Sequence, residues 1–264
     1  MNITHAKTEE IKGCKLEAIF NRQRELMEKY HHIESKSGLC QTEDCPVNLD
    51  DKRGQARLKD FAWRATEEVA EAFEVLPVIN NLASEYNQIV NPIYGECHKP
   101  GLSATAERKL YNRMDAICEE ISSNTLHLKE ELIDSLHFFT EMSILADMTP
   151  DKFEFNPDII KEFNDDKLDY IIAVIQNEGL IEPDIRLAGI DFITNLGICC
   201  NFLKNKAWKQ TQMVTDKESF KEQMKTTWLF MIRMLIAAGL DGNSIADLYL
   251  KKSQVNQFRQ RTNY

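Results

Sequence analysis

Apolar residues recur every three to four positions along almost the whole chain, which is the spacing of amphipathic α-helices. Segments in which β-branched and polar residues alternate between turns, as in β-strands, do not occur. The pattern therefore predicts an all-α fold. We place helices at roughly 8–33, 56–76, 78–91, 103–121, 126–147, 157–178, 184–204, 217–239 and 243–257.

The breaks between these segments carry the residues that end helices. Prolines stand at positions 77, 92, 100, 150, 157 and 183, and Gly239 follows the penultimate helix. The polar segment 34–55 is rich in turn residues and predicts a long loop. We expect one helical domain over residues 1–264, with a helical insertion at 77–126.

Composition narrows the class of function. A formal net charge of −10 argues against nucleic-acid binding, which needs a basic surface. The most apolar segment, 228–240, is too short to span a bilayer and contains Arg233, and the N-terminus lacks the apolar run of a signal peptide. Seven cysteines without regular spacing suit a reducing compartment. We expect a soluble cytoplasmic protein.

The stretch WRATEEVAEAFE (63–74) concentrates carboxylates on one helix. Glu67, Glu71 and Glu74 share a face, with Glu68 beside them, and apolar residues take the opposite face. Arg64, one turn before Glu68, is placed to hold that carboxylate. Taken alone, the stretch is also typical of a solvated amphipathic helix.

A second acidic helix changes this interpretation. In LKEELIDSLHFFTEMSILA (128–146), Glu131 and Asp134 share a face of a helix that is apolar on nearly every side and therefore buried. Buried carboxylates are costly unless paired or bound to metal, and no Lys or Arg lies on the same stripe. Glu68 and Glu71 facing Glu131 and Asp134 would form the all-oxygen ligand set that Mg²⁺ prefers.

His137 follows Asp134 on the same stripe. It either supports a ligand carboxylate through a hydrogen bond or is a core histidine with its bonds satisfied.

The chain also resembles itself. Residues 129–148 align with 221–240, and residues 57–76 align loosely with 186–205. The second copy has uncharged residues at the positions that align with the acidic residues of the first. Gly197 aligns with Glu68, Cys200 with Glu71, Gln223 with Glu131 and Thr226 with Asp134. A degenerate duplication (184–240 repeating 57–147) would build a four-helix core around one acidic site. The alternative is chance similarity between amphipathic helices.

The C-terminal segment YLKKSQVNQFRQRTNY (249–264) adds cationic and amide groups. Tyr249, Lys252 and Asn256 share a helix face, and Arg259 and Gln260 follow just beyond. Arg and Lys side chains in this arrangement suit a polyphosphate, although a solvated basic terminus has the same composition.

Together these segments resemble the dimeric dUTPases of the all-α nucleoside-triphosphate pyrophosphatase superfamily. Members carry a Gln on an N-terminal helix, an ExxE helix, an ExxD helix followed by His-Phe, and a terminal YxxKNxxNxxRQxxGY. The corresponding segments here are IFNRQRELM (19–27), EVAE (68–71), ELIDSLHFF (131–139) and the C-terminal segment.

The resemblance implies Mg²⁺-dependent hydrolysis of dUTP to dUMP and pyrophosphate by a homodimer with two or three metal ions. A homodimer also agrees with the apolar content of 228–240. By similarity Glu68, Glu71, Glu131 and Asp134 hold the metals, and Glu68 orients or deprotonates the attacking water. Gln23 reads the base, because an amide offers both a donor and an acceptor to uracil. The remaining substrate-binding residues are Lys252, Asn256, Arg259, Gln260 and Tyr264.

Some positions depart from the family pattern. Met27 replaces an Asn, and this keeps dCTP or a purine deoxynucleotide open as the substrate. The Trp-Lys segment of the family is missing between the acidic helices, and one occurs instead at LKNKAWKQ (203–210). There Trp208 would stack on a base with Lys206 or Lys209 near phosphate, or the segment is simply a solvated surface. A non-enzymatic helical binding protein with a structural cation is the alternative from another class.

Overall fold

The computed structural model describes residues 3–37, 41–94, 104–155, 166–206 and 208–261. No β-strand occurs in these ranges, and the all-α prediction is confirmed. Short 3-10 helices lie at Ile3–His5 and Pro150–Lys152. The α-helices are α1 (Lys15–Ser37), α2 (Lys52–Tyr94), α3 (Ala104–Leu145), α4 (Lys167–Asn177), α5 (Ile185–Phe202), α6 (Lys217–Ala237) and α7 (Gly242–Arg261).

Two predicted helix breaks are wrong. Helix α2 continues through Pro77, which lies on its exposed side, so water can bond the carbonyl that loses its intrahelical donor. Helix α3 likewise runs through Ser122–Ser123–Asn124–Thr125, where no glycine or proline interrupts it. Polar residues alone do not end a helix.

Helix α1 begins seven residues later than predicted. Gly13 has a φ of +91°, a conformation that glycine adopts readily and that ends the preceding extended segment. That segment is held by side chains: Glu9 forms a two-bond ion pair with Arg22 on α1, and Gln254 on α7 bonds the backbone of Lys7. Aspartates at positions 166, 184 and 216 cap the N-termini of α4, α5 and α6.

The chain divides into two compact units. The first comprises Met1–Glu68 and Ile133–Tyr264, and the second comprises Val69–Leu132. The second unit, which contains the predicted insertion, buries Ala72, Ile117 and Leu128. In it Arg113 binds Glu85 through two hydrogen bonds of 2.7 and 2.8 Å.

The core of the first unit is built around Trp228 on α6. Its side chain is fully buried, contacts Phe20, Phe139 and Phe153, and donates from Nε1 to Ser143 Oγ at 2.9 Å. The apolar content of 228–240 is thus largely explained by packing within the unit, so it gives no support to a dimer.

The duplicated segments predicted at 184–240 fall on α5 and α6. Helical structure at these positions is common to both interpretations, and the duplication stays a prediction. No single helix in the described ranges is long and apolar enough to cross a membrane. Helices α6 and α7 taken together meet the length and composition of a membrane span, but the pair is bent by 95°.

Candidate active site

A cavity of about 260 Å³ in the first unit brings together four of the helices that carry the predicted site. Its lining is Gln23, Leu26 and Tyr30 from α1, Phe61, Arg64 and Glu68 from α2, Asp134, His137, Phe138 and Glu141 from α3, and Asn256 and Arg259 from α7. We call it the acidic cavity, after its three carboxylates.

Small buried residues allow α2 and α3 to approach each other beside this cavity. Ala65 and Ser135 are both fully buried, and Ser135 Oγ donates to the carbonyl of Ala65 at 2.7 Å. Glu68 lies one turn after Ala65, and Asp134 directly precedes Ser135. The close contact therefore places two of the predicted metal ligands on facing helices.

Glu68 and Asp134 each place one carboxylate oxygen within 4.8 Å of the other, and both side chains are half-buried. Glu131 lies one turn before Asp134 on α3 and belongs to the second unit. Its side chain is 12% exposed, and Oε1 lies 3.0 Å from His127 Nδ1. Glu71, one turn after Glu68 on α2, is exposed and is not part of this group.

Asp134 has a cationic partner, contrary to the expectation from its own helix. Lys252 Nζ, from the last helix, lies 2.7 Å from Asp134 Oδ2, with side-chain exposures of 6% and 18%. A stripe on a single helix cannot show a partner that another helix brings from a distant part of the chain. Asp134 is therefore neutralised by Lys252, which the sequence had assigned to substrate phosphate.

Gln23 is the centre of a buried hydrogen-bond network. Its Nε2 donates to Glu141 Oε2 at 2.8 Å, while its Oε1 accepts from the Tyr249 hydroxyl at 2.6 Å and lies 3.0 Å from His137 Nδ1. A carboxylate only accepts hydrogen bonds, so the amide nitrogen of Gln23 must face Glu141. Its oxygen then faces His137, and Nδ1 must carry the ring proton.

This network fixes the tautomer of His137 and leaves Nε2 as the ring's acceptor. Burial, with a smaller effect from the positive charge of Lys252, lowers the pKa of His137 to about 3, so the ring is neutral at physiological pH. Its Nε2 is buried and has no hydrogen-bond partner among the described residues. His137 therefore bonds Gln23 rather than a ligand carboxylate, and its second nitrogen is unsatisfied.

Tyr249 packs against the ring of His137. Its ring stacks on His137 with centroids 3.8 Å apart, and it is fully buried. Burial raises the pKa of Tyr249 well above its usual value, so the hydroxyl keeps its proton and donates it to Gln23.

The other predicted residues are distributed as follows. Asn256 and Arg259 line the acidic cavity. Arg64 also lines it, pairs with Asp60 at 2.9 Å and lies over the Phe61 ring at 5.0 Å. The side chain of Gln260 and all of Tyr264 lie outside the described residues.

Met27 does not line the acidic cavity. It is buried and lines a different cavity with Arg24 and Cys45. The family departure at this position therefore lies outside the acidic cavity described here.

Sequence reasoning missed Glu141, the residue that orients Gln23. Its position seven residues after Asp134 puts it on the same face of α3, and this spacing was the available signal. Trp208 and Lys206 line a separate cavity of the first unit and do not line the acidic one.

A comparison of the sequence with models of protein families found a match. A family model described as dUTPase matches residues 119–264, which is more than half of the chain. The matched part contains Glu131, Asp134, His137 and Lys252, whereas Gln23 and Glu68 precede it. No curated protein and no solved structure matches the chain.

Proposed function

The chain belongs to the dUTPase family and is a dUTP diphosphatase, and from this premise we propose that it hydrolyses dUTP to dUMP and pyrophosphate at the acidic cavity. The observation that carries the proposal is the approach of Glu68 to Asp134 beside the unsatisfied Nε2 of His137. Carboxylates for a metal and a neutral acceptor for a base then lie in one cavity.

The carboxylates fit Mg²⁺ by chemistry and spacing. Two oxygens bound to one Mg²⁺ lie about 3 to 4 Å apart, because each bond is about 2.0–2.1 Å long. Oxygens of Glu68 and Asp134 within 4.8 Å reach this spacing through small side-chain rotations. Glu131 supplies further oxygens along α3. The role of Glu71 as a ligand and the number of metal ions, two or three, rest on the family resemblance. Bound Mg²⁺ would offset the charge of the triphosphate.

Lys252 has two alternative partners in this proposal. It pairs with Asp134 in the structure described here. With a metal at Asp134, the ammonium of Lys252 would be free to bind a phosphate oxygen of the substrate. Asn256 and Arg259 extend the same surface of α7 and would bind phosphate and sugar, with Gln260 and Tyr264 assigned by resemblance.

Glu68 is the residue that we assign to the attacking water. It lies across from Asp134 on a different helix, and its carboxylate can accept a proton from a water held between the helices. Arg64, on the preceding turn of α2, lines the same cavity and adds positive charge near the phosphates.

Base recognition is divided between Gln23 and His137. The oxygen of Gln23 is already engaged by Tyr249 and His137, so it is not the acceptor for uracil N3–H. Nε2 of His137 takes that role, and the second N–H of Gln23 donates to a uracil carbonyl. Cytosine presents a lone pair at N3, which would oppose the lone pair of Nε2. An acceptor at Nε2 therefore favours dUTP over dCTP.

The homodimer and the cytoplasmic location are kept as proposals. The first rests on family membership alone, and sedimentation velocity of the purified chain tests it. The second rests on cysteine usage, and the described cysteines at positions 14, 45, 118, 199 and 200 are free.

The test of the proposed function is pyrophosphate release from a panel of deoxynucleoside triphosphates with Mg²⁺. We expect dUTP to be the best substrate and Glu68→Gln to lower kcat about a hundredfold or more with the fold retained. Glu67→Gln is the matched control, because Glu67 is exposed and accepts a bond only from Trp63 among the described residues. Equal rates for all substrates, or an active Glu68→Gln variant, would refute the assignment.

A further inference from the structure

A second, larger cavity of about 720 Å³ lies in the first unit and has no role in the proposed reaction. It is formed by the start of α2, the exposed face of α5 and the segment that follows α5. Its lining is Lys52, Ala56, Lys59, Thr194, Gly197, Ile198, Cys200, Asn201, Asn205, Lys206 and Trp208. We call it the lysine pocket.

The charge of this pocket is opposite to that of the protein as a whole. Lys52, Lys59 and Lys206 line it, and Lys204 and Lys209 act electrostatically on Lys59. None of these five lysines forms an ion pair with a carboxylate in the part of the chain that is described, although the net charge is −10. Burial lowers the pKa of Lys59, and the neighbouring lysines lower it further, so an anion would relieve the repulsion.

The segment that closes the pocket is held in a fixed position. Lys59 Nζ donates to the carbonyl of Leu203 at 2.6 Å, and Lys52 Nζ donates to the carbonyl of Lys209. Asn205 donates to the carbonyls of Asp50 and Met213 at 2.9 and 2.7 Å. Each ammonium has three donors, so Lys52 and Lys59 each keep two after these bonds.

An aromatic ring stands at the same pocket. Trp208 is 77% exposed, and Lys206 Nζ lies 5.1 Å from its ring centroid. Ala56, Gly197 and Ile198 supply an apolar wall. An exposed indole beside several ammonium groups is the combination that binds a planar base and its phosphates, and the volume lies within the range of small-molecule sites.

We propose that the lysine pocket is a second nucleotide site, in which a base stacks on Trp208 and the phosphates bind Lys52, Lys59 and Lys206. It differs from the acidic cavity in one testable way. Its cations neutralise phosphate directly, so binding needs no metal, whereas the acidic cavity needs a divalent ion before it can accept a triphosphate.

Gly197 provides a variant that blocks the pocket with little risk to the fold. A Cβ added at this position meets no atom within 4 Å, and the residue lies inside helix α5. Gly197→Leu therefore adds a side chain to the pocket lining at a position where its Cβ has open space, and leucine is the better helix former. Gly197→Ala, which adds one methyl group, is the matched control.

The experiment is calorimetric titration of the full chain with dUTP in excess EDTA, beside separate titrations with pyrophosphate and with deoxyuridine. We expect one site per chain for dUTP. Gly197→Leu should weaken it at least tenfold and Gly197→Ala less than threefold. Trp208→Ala should weaken dUTP about tenfold but leave pyrophosphate unchanged, and Lys206→Ala should weaken both.

Two binding results would overturn the proposal: no dUTP binding in EDTA, or unchanged binding in Gly197→Leu. A change of oligomeric state in Gly197→Leu would also overturn it, because it would show that a second copy of the chain covers the pocket. The result is independent of the proposed function. Gly197→Leu should keep Mg²⁺-dependent turnover within twofold, whereas failure of the acidic-cavity assignment would show in the Glu68→Gln variant instead.

Discussion

Glu141→Gln is the most informative perturbation of base recognition, because Glu141 accepts the hydrogen bond that orients Gln23, and Gln23 contacts His137. In the wild type, the opposite orientation of the Gln23 amide would direct its oxygen at a carboxylate and lose the 2.8 Å bond from Nε2. A hydrogen bond to a charged group contributes about 1.5–3 kcal/mol, so the reversed amide is at least about tenfold less populated.

Glutamine at position 141 offers both a donor and an acceptor, so it no longer fixes the orientation of Gln23. In the reversed orientation the Tyr249 hydroxyl, which donates to Gln23 Oε1 in the wild type, turns and accepts a hydrogen bond instead. In the reversed orientation the amide nitrogen faces His137 Nδ1, the ring proton moves to Nε2, and the cavity presents a donor. We expect kcat/KM for dUTP to fall only about twofold, since about half of the molecules keep the original tautomer. The same change should raise kcat/KM for dCTP, so that the ratio of the two falls about tenfold.

The assay is pyrophosphate release with dUTP and dCTP at saturating Mg²⁺, together with ¹⁵N chemical shifts of His137, which report the tautomer. Glu67→Gln makes the same chemical change at an exposed site and should leave both quantities unaltered. An unchanged dUTP/dCTP ratio in a folded Glu141→Gln variant whose tautomer has shifted would refute the role of His137.

Three further predictions concern stability. The pKa of His137 is lowered to about 3 in the folded chain, so unfolding takes up a proton below the ordinary pKa of about 6.5. Its contribution to stability is therefore complete above about pH 6.5 and is lost as pH falls toward 3. In urea unfolding across this range, the free energy of unfolding should decline less for His137→Gln than for the wild type. An equal decline would contradict the lowered pKa of His137. Trp228 is fully buried in an aromatic cluster, so Trp228→Ala should lower the free energy of unfolding by about 3–5 kcal/mol, whereas Trp208→Ala at the surface should change it by less than about 0.5 kcal/mol. Pro77 lies on the exposed side of α2, so Pro77→Ala should raise the melting temperature by restoring one helix hydrogen bond; a lower melting temperature would show that the proline is required there.

Periodicity was sufficient to predict the helices but not where they end. Each segment with a 3.6-residue repeat forms a helix over most of its described length, because an apolar face needs a helix of that period to be buried, but residues 8–14 are not helical. The breaks at Pro77 and at Ser122–Thr125 were wrong, because an exposed proline is tolerated and short polar runs continue a helix.

The sequence predicts which site residues share a face of one helix, but not which residues of different helices are in contact. The spacing of Glu131 and Asp134 placed them on one face of α3, and the structure has an oxygen of Glu68 within 4.8 Å of one of Asp134. The ion pair of Lys252 with Asp134 and the network of Gln23 with Glu141 join helices that are distant in sequence. Such pairings depend on how helices dock, and a periodic pattern contains no information about docking.

Titration with Mn²⁺, followed by electron paramagnetic resonance in the presence of a non-hydrolysable dUTP analogue, tests the central assignment most directly. Glu68 and Asp134 lie close enough to share an ion, so Asp134→Asn should weaken Mn²⁺ binding at least tenfold while Glu67→Gln leaves it unchanged. Equal affinity in the wild type and in a folded Asp134→Asn variant would contradict the assignment of Asp134 as a metal ligand.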